Sequence, residues 1–303
     1  MRLSKVMVGC MAAMMMTVAC KGQNNEVQNL GYANVTIPQV PNSLTFAGEE
    51  VPFEYFDVAE SFQREMLVTL YMHSKTSLTL LKSKRYFSII EPILERNGVP
   101  ADFKYLCCIE SGLDEDAVSV AGAGGLWQFM PATGKKCGLL QEKGIDERFH
   151  IEKATEAACV MLKELYEQFG SWTLAAAAYN LGPNGVNRRL DQQIVATNYY
   201  DAYFPLETRR YMFRILSFKV LMEAGPENFG YNISEDDYYL PLADYHEIEV
   251  TGSHIDWSVV AVENNTNYRV LRLLNNWIRD YEFDNPKGYT FKVKIPNENF
   301  RLR

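Results

Sequence analysis

The stretch Cys107-Cys108-Ile109-Glu110-Ser111-Gly112-Leu113, followed by Ala117-Val118-Ser119 and by Gly122-Ala123-Gly124-Gly125-Leu126-Trp127-Gln128-Phe129-Met130-Pro131-Ala132-Thr133-Gly134, decides the fold. Pro100 suits the first turn of a helix, and 101–109 continues as a short, mostly apolar one. It stops near Glu110-Ser111-Gly112, and 118–125 is too rich in Gly and Ala to form a long element. A carboxylate at that helix end meets the negative pole of the helix dipole. Burial adds to the effect, and both raise a carboxyl pKa. A raised pKa lets the group keep its proton near neutral pH, as a general acid must. On position alone, a helix-ending Glu exposed to water is the plainer reading.

Working outward, the periodicity predicts helices over 55–73 and 77–97, with Leu78, Leu81, Phe87, Ile90 and Leu94 mostly three or four apart. Asn97-Gly98 closes the second. Ala154, Ala157, Ala158, Met161, Leu162, Leu165 and Phe169 form one face of another helix. An Ala-rich helix is expected over 172–179, a turn over 181–185, and a helix over 207–224 closed by Gly225-Pro226. Beyond Tyr245 the order becomes strand (247–250), helix (257–263), helix (268–277) and strand (289–295), which suggests a small separate module. No internal repeat or low-complexity block is present.

At the N-terminus, Arg2 and Lys5 precede an apolar run from Val6 to Ala19, the layout of a secretory signal. The run is short of the roughly 20 residues that span a bilayer. Thr17-Val18-Ala19-Cys20 resembles a bacterial lipobox with Thr17 in the usual Leu position, which implies lipidation of Cys20; an ordinary secreted protein is the plainer alternative. Loss of 1–19 removes Arg2 and Lys5 and moves the formal charge from −8 to −10. So acidic a chain is ill-suited to nucleic acid, whose phosphates require clustered Lys and Arg. Cys107, Cys108, Cys137 and Cys159 contain no CxxC and match no zinc pattern. Export permits a disulfide; small buried thiols are the blander reading.

Two further motifs follow the opening stretch: Ala178-Tyr179-Asn180-Leu181-Gly182-Pro183 and Glu207-Thr208-Arg209-Arg210-Tyr211. In this order and spacing the four resemble the lysozyme-like domain of lytic transglycosylases. The resemblance departs at Trp127, which stands where that family carries Met. It implies a mainly α fold: a lysozyme-like (goose-type) catalytic domain over 98–230, a signal peptide over 1–19, and a lipid-anchored tether and lead-in over 20–52. A helical segment over 53–97 and a small C-terminal α+β module over 245–296 complete it. The module resembles a degenerate LysM fold in element order only, without the usual Gly-Asp-Thr, and an appendage docked on the catalytic domain is an equal alternative.

The resemblance further implies an exported peptidoglycan-cleaving enzyme, periplasmic and on the outer membrane, with glycan strands as partner and neither metal nor organic cofactor. Glu110 would be its single catalytic acid and base. Ser119, Gln128, Met130, Tyr179 and Asn180 would contact the glycan, the Tyr179 hydroxyl within reach of Glu110 or the sugar. The glycines of 122–125 would let substrate approach backbone. Glu207 is either a carboxylate supporting the groove or a helix first-turn residue. Asp114, Glu115 and Asp116 read as a solvated loop. Tyr199, Tyr200 and Tyr203 either flank the groove or pack a loop. A hydrolase on the same fold and a non-catalytic wall-binding protein are the competing readings.

Overall fold

The computed structural model describes residues 37–302, so the signal segment, Cys20 and most of the tether lie outside it. A minimal hairpin of β1 (Thr45–Phe46) and β2 (Glu49–Glu50) leads into α1 (Phe56–Tyr71) and α2 (His73–Arg96), which are separated only by Met72. Pro92 lies within α2, and Asn97 with left-handed Gly98 ends it. A 3₁₀ turn at Ala101–Phe103 then opens α3 (Lys104–Glu110), with Pro100 at its N-cap.

The body is mainly α, as its periodicity implied. After α4 (Pro131–Lys136) come the short β3 (Gln141–Glu142) and β4 (Ile145–Asp146), then α5 (Ile151–Phe169) and α6 (Trp172–Leu181). α7 (Pro183–Gln193) and α8 (Leu206–Glu223) complete it. Ala175, Ala176, Ala177 and Ala178 of α6 are fully buried, and their small side chains let α5, α7 and α8 all pack on one short helix. Ser171 caps α6, and Glu49 of β2 accepts from the Thr173 backbone N–H at 3.0 Å, a carboxylate at the positive end of the helix. The same apolar core takes in α1 and α2 through Phe62, Met66, Leu80 and Ile90. The N-terminal helices are thus part of the packing that holds the site.

Two helices were missed in the sequence. The expected turn over 181–185 is a break at Gly182 alone; Pro183 already occupies the first turn of α7. That helix buries only Val186 fully and Leu190 in part, and its Pro-Asn-Gly start reads as a turn. α4 is too short to show one.

The C-terminal module consists of β5 (Tyr245–Val250), β6 (His254–Asp256), α9 (Trp257–Glu263), α10 (Tyr268–Leu274), β7 (Glu282–Asp284) and β8 (Phe291–Pro296). β5 pairs antiparallel with β8, so the two expected strands form one sheet, and the unexpected three-residue strands β6 and β7 form a second two-stranded sheet. Asn275 is fully buried and binds both strand and helix, its Nδ2 donating to the Lys294 and Leu271 carbonyls at 2.8 Å each. The module docks firmly: Ile145 of β4 sits inside its core, and the Asp146 backbone N–H donates to the Trp277 carbonyl at 2.9 Å.

Among the described residues Cys107, Cys108, Cys137 and Cys159 are free thiols, Cys107 and Cys108 fully buried, and burial pushes both thiols up. No described helix is long and apolar enough to cross a membrane.

Candidate active site

Glu110 is the last residue of α3, and its side chain is half-buried beside α8. Tyr211, buried on α8, donates its hydroxyl to Glu110 Oε1. Burial is the largest influence on the carboxyl and raises its pKa to about 7; the Glu207 charge pushes the same way. The Tyr211 hydrogen bond, Lys75 and Arg214 act in the opposite sense. The group is therefore poised between its two protonation states near neutrality. Burial and the Glu110 charge raise the Tyr211 and Tyr179 phenols well above their ordinary values, so both remain hydrogen-bond donors.

Tyr211 belongs to one of the quoted motifs, yet nothing in the sequence singled it out. The expected role fell on Tyr179, whose hydroxyl instead donates to the Trp127 carbonyl at 2.8 Å. Tyr179 thus ties the end of α6 to the glycine-rich segment. Trp127 itself is fully buried, and its indole N–H donates to Thr155 Oγ1 on α5 at 2.9 Å, which accounts for a large side chain at that position.

The glycine-rich segment folds back on itself. The Ser119 N–H donates to the Ala123 carbonyl at 2.9 Å, and Gly124 and Phe129 exchange backbone hydrogen bonds. Ser119 Oγ accepts from the Ala123 N–H at 2.9 Å, while Gln128 Nε2 donates to the Gly125 and Ala117 carbonyls at 2.9 and 3.1 Å. Both side chains first of all hold the loop. The glycines serve packing more than substrate approach: a Cβ on Gly125 would lie 2.0 Å from the Arg148 carbonyl oxygen, and one on Gly124 2.8 Å from the Phe149 ring. Arg148, paired with Asp146, donates to the Gly122 and Phe129 carbonyls from the same side at 2.7 and 3.0 Å.

The remaining candidates fall around this centre in different ways. Met130 is exposed next to the loop. Asn180 Oδ1 accepts from Thr208 Oγ1 at 2.8 Å, locking α6 to the first turn of α8. Glu207 is largely exposed in that turn and pairs with Arg214 at 3.3 Å. Tyr199 is a core residue that donates to the Thr208 and Arg209 carbonyls; Tyr203 is exposed, with Arg209 over its ring.

Of the acids after Glu110, Asp114 and Asp116 are exposed, as expected for a solvated loop, and Glu115 is partly buried. The Glu115 charge adds to burial in raising the Tyr86 phenol, and Asp116 pairs with Arg279 and Arg272 of the C-terminal module at 2.6 and 3.2 Å. Those arginines turn Asp116 toward the scaffold. Among the described residues no group of three or more His, Cys, Asp and Glu could hold a metal.

Residues 87–199 match the family described as the transglycosylase SLT domain, and residues 246–299 match the soluble lytic transglycosylase C-terminal LysM-like domain. Membrane-bound lytic murein transglycosylase D of Escherichia coli, from strain K12 and from strain O6:H1, is 28% identical over 208 residues, or 66% of this chain and 45% of the relative. The chain thus spans less than half the length of these curated relatives. The crystal structure of the 70 kDa soluble lytic transglycosylase of E. coli covers 50% of this chain and 26% of its own, with 22% identity and a TM-score of 0.39. Tyr211 lies beyond the segment matched to the first family. This chain carries a transglycosylase SLT domain followed by a LysM-like C-terminal domain.

Proposed function

We propose that this protein is a peptidoglycan lytic transglycosylase that cleaves the β-1,4 bond between N-acetylmuramic acid and N-acetylglucosamine. The single observation that carries the reading is Glu110, which lies in the segment matched to the SLT domain, with its pKa raised to about 7 and a hydrogen bond from Tyr211 of α8. A carboxyl so placed gives up a proton and takes one back at modest cost near neutral pH.

In the first step Glu110 protonates the glycosidic oxygen as the bond to C1 breaks and positive charge grows on the muramyl ring. In the second, the Glu110 carboxylate takes the proton of the muramyl C6 hydroxyl, whose oxygen bonds to C1 and closes a 1,6-anhydro ring. The nucleophile belongs to the substrate and acts at high effective molarity, so the enzyme supplies no second carboxylate for it. Hydrolysis, by contrast, uses a pair of carboxyl groups. Asp116, held by Arg272 and Arg279 of the C-terminal module, favours the one-carboxylate scheme. Tyr211 steadies the carboxylate of the second step. Met130, Ser119, Gln128, Tyr179, Asn180 and Glu207 shape the glycan groove, most of them by holding the loop and α8. The LysM-like module adds a second hold on the wall, and Cys20 is the proposed lipid anchor of an exported, outer-membrane protein.

Digestion of purified sacculi, with the products analysed by mass spectrometry, tests the reading. Anhydromuramyl ends are expected from the wild type and none from Glu110→Gln. Reducing ends would establish a hydrolase, and equal inertness of both proteins a wall-binding scaffold.

A further inference from the structure

Glu65 of α1 is fully buried, and no step of the proposed reaction uses it. Its carboxylate gathers cations from two helices. Arg210 of α8 donates Nε to Oε1 at 2.7 Å and Nη2 to Oε2 at 3.2 Å. Arg214, one turn further along α8, approaches Oε2 at 3.4 Å, and Arg64 reaches Oε1 from α1 itself at 2.8 Å. Such a cluster is no device for stability, since apolar groups of similar volume often serve a fold as well or better. Its place is more informative. Tyr211, which donates to Glu110, lies between Arg210 and Arg214 on α8. Both arginines line a cavity whose wall also includes Ile109, the residue before Glu110.

An arginine left free at this place has a ready partner in Glu110. Guanidinium and carboxylate form charge-assisted, bidentate pairs, and an opposite charge at contact lowers a carboxyl pKa by about 1–3 units. A Glu110 paired in that way would stay ionised at neutral pH and could not act as the acid. The arginines are instead engaged elsewhere. Arg210 is turned to Glu65, and Arg214 is shared between Glu65 at 3.4 Å and Glu207 at 3.3 Å. The other charged and titratable groups facing Glu110 are Lys75 from α2, Glu207 and Tyr211 from α8, Tyr179 from α6 and Cys107 from its own helix. Lys75 is exposed, and water and salt screen its charge. Of the cations around the carboxyl, the two arginines are the ones that a buried partner restrains.

Resting on the transglycosylase reading, we propose that Glu65 is a positioning residue for the catalytic acid: it draws Arg210 and Arg214 away from Glu110 and so leaves that carboxyl able to hold its proton. The N-terminal helix α1 then takes part in the chemistry through charge, without touching substrate.

Glu65→Gln tests this. The amide keeps the shape of the carboxylate and still accepts from Arg210, but it lacks the charge that competes for the arginines. The carboxyl carbons of isotope-labelled glutamate are followed by NMR from pH 4 to pH 9, and the resonance missing from Glu110→Gln is that of Glu110. Its midpoint, about 7 in the wild type, should fall by at least about one pH unit in Glu65→Gln. It should return toward 7 in the double variant Glu65→Gln/Arg214→Gln, where the released cation is gone. The alkaline limb of kcat/KM on sacculi should move to lower pH with the midpoint, so that activity at pH 7 drops about fivefold and recovers in acid. Glu65→Asp retains the charge but withdraws it from Arg214, already the longer pair, and should shift the midpoint the same way by less. That variant decides the matter if Glu65→Gln does not fold. A midpoint unmoved in a folded Glu65 variant, or one that stays low in the double variant, overturns the proposal and leaves Glu65 a structural ion-pair partner. The titration is read without turnover, so sacculi left uncut by the wild type would count against the proposed reaction and not against the positioning of Glu110.

Discussion

Arg279 of the C-terminal module donates to Asp116 Oδ1 at 2.6 Å, within the segment that joins Glu110 to Ser119. The same guanidinium lies 4.0 Å over the ring of Phe149, the residue against which Gly124 packs. One side chain of the module therefore braces the glycine-rich loop at both ends. The pair is partly exposed, so it should add only about 0–1 kcal/mol to global stability.

Arg279→Ala should accordingly change the melting temperature little while loosening the loop. We expect roughly tenfold lower kcat/KM on sacculi, the equivalent of about 1.4 kcal/mol in the barrier. Faster deuterium exchange confined to 115–129 should accompany it. A mutant with normal exchange in that segment and a normal rate would show that the module does not position the loop.

Glu110 should make stability depend on pH in a defined direction. Its ordinary pKa of 4.5 applies to the unfolded chain, and about 7 to the folded one. Between those values the folded protein holds a proton that the unfolded chain has released, so stability falls as pH rises through the window and levels off above it. Glu110→Gln removes the effect. The variant should gain stability relative to wild type at pH 8, by up to about 3 kcal/mol, and lose that advantage by pH 4. Denaturant titrations at the two pH values check it; a stability difference that is flat with pH would mean that the carboxyl is not raised.

Tyr211→Phe deletes the one side-chain hydrogen bond that favours the charged form of Glu110. The carboxyl should rise further, and the alkaline limb of the pH–rate profile should move to higher pH. Activity at the optimum should fall about ten- to a hundredfold, the range for losing a hydrogen bond to a charged group. Tyr179→Phe, which frees only the Trp127 carbonyl, should leave the limb in place. If the two variants behaved alike, the assignment of Tyr211 as the positioning residue would be wrong.

The difference between these tyrosines shows what was legible in the sequence. Glu110, its helix and the loop after it are contiguous, so local pattern was enough to find them. Tyr211 is separated from Glu110 by five helices or helical turns, and only the packing of α8 on α3 brings it there. α7 stayed hidden because its Pro183-Asn184-Gly185 start reads as a turn and only Val186 and Leu190 mark its apolar side. The glycines were noticed for the close approach they allow, whereas the Arg148–Phe149 segment that packs on Gly124 and Gly125 comes from beyond β4 and has no local signal.

That packing leads to a contrast between two glycines of one loop. Gly122 and Gly125 both have positive φ, at +86° and +75°. Alanine at either position pays about 1–2 kcal/mol for the left-handed conformation. At Gly122 nothing lies within 4 Å of the added methyl, so that cost is the whole effect. At Gly125 the methyl would overlap the Arg148 carbonyl oxygen, which is backbone and cannot swing aside. Relief requires moving Arg148, whose guanidinium holds the Gly122 and Phe129 carbonyls, and with it the whole loop. Gly125→Ala should therefore lose well over about 3 kcal/mol, in the range of the severest single substitutions, or fail to fold. Gly122→Ala should fold and melt only a few degrees lower. Equal, small losses for both in chemical denaturation would show that the Arg148–Phe149 segment does not press on the loop, and would return the glycines to the role of open backbone facing the glycan.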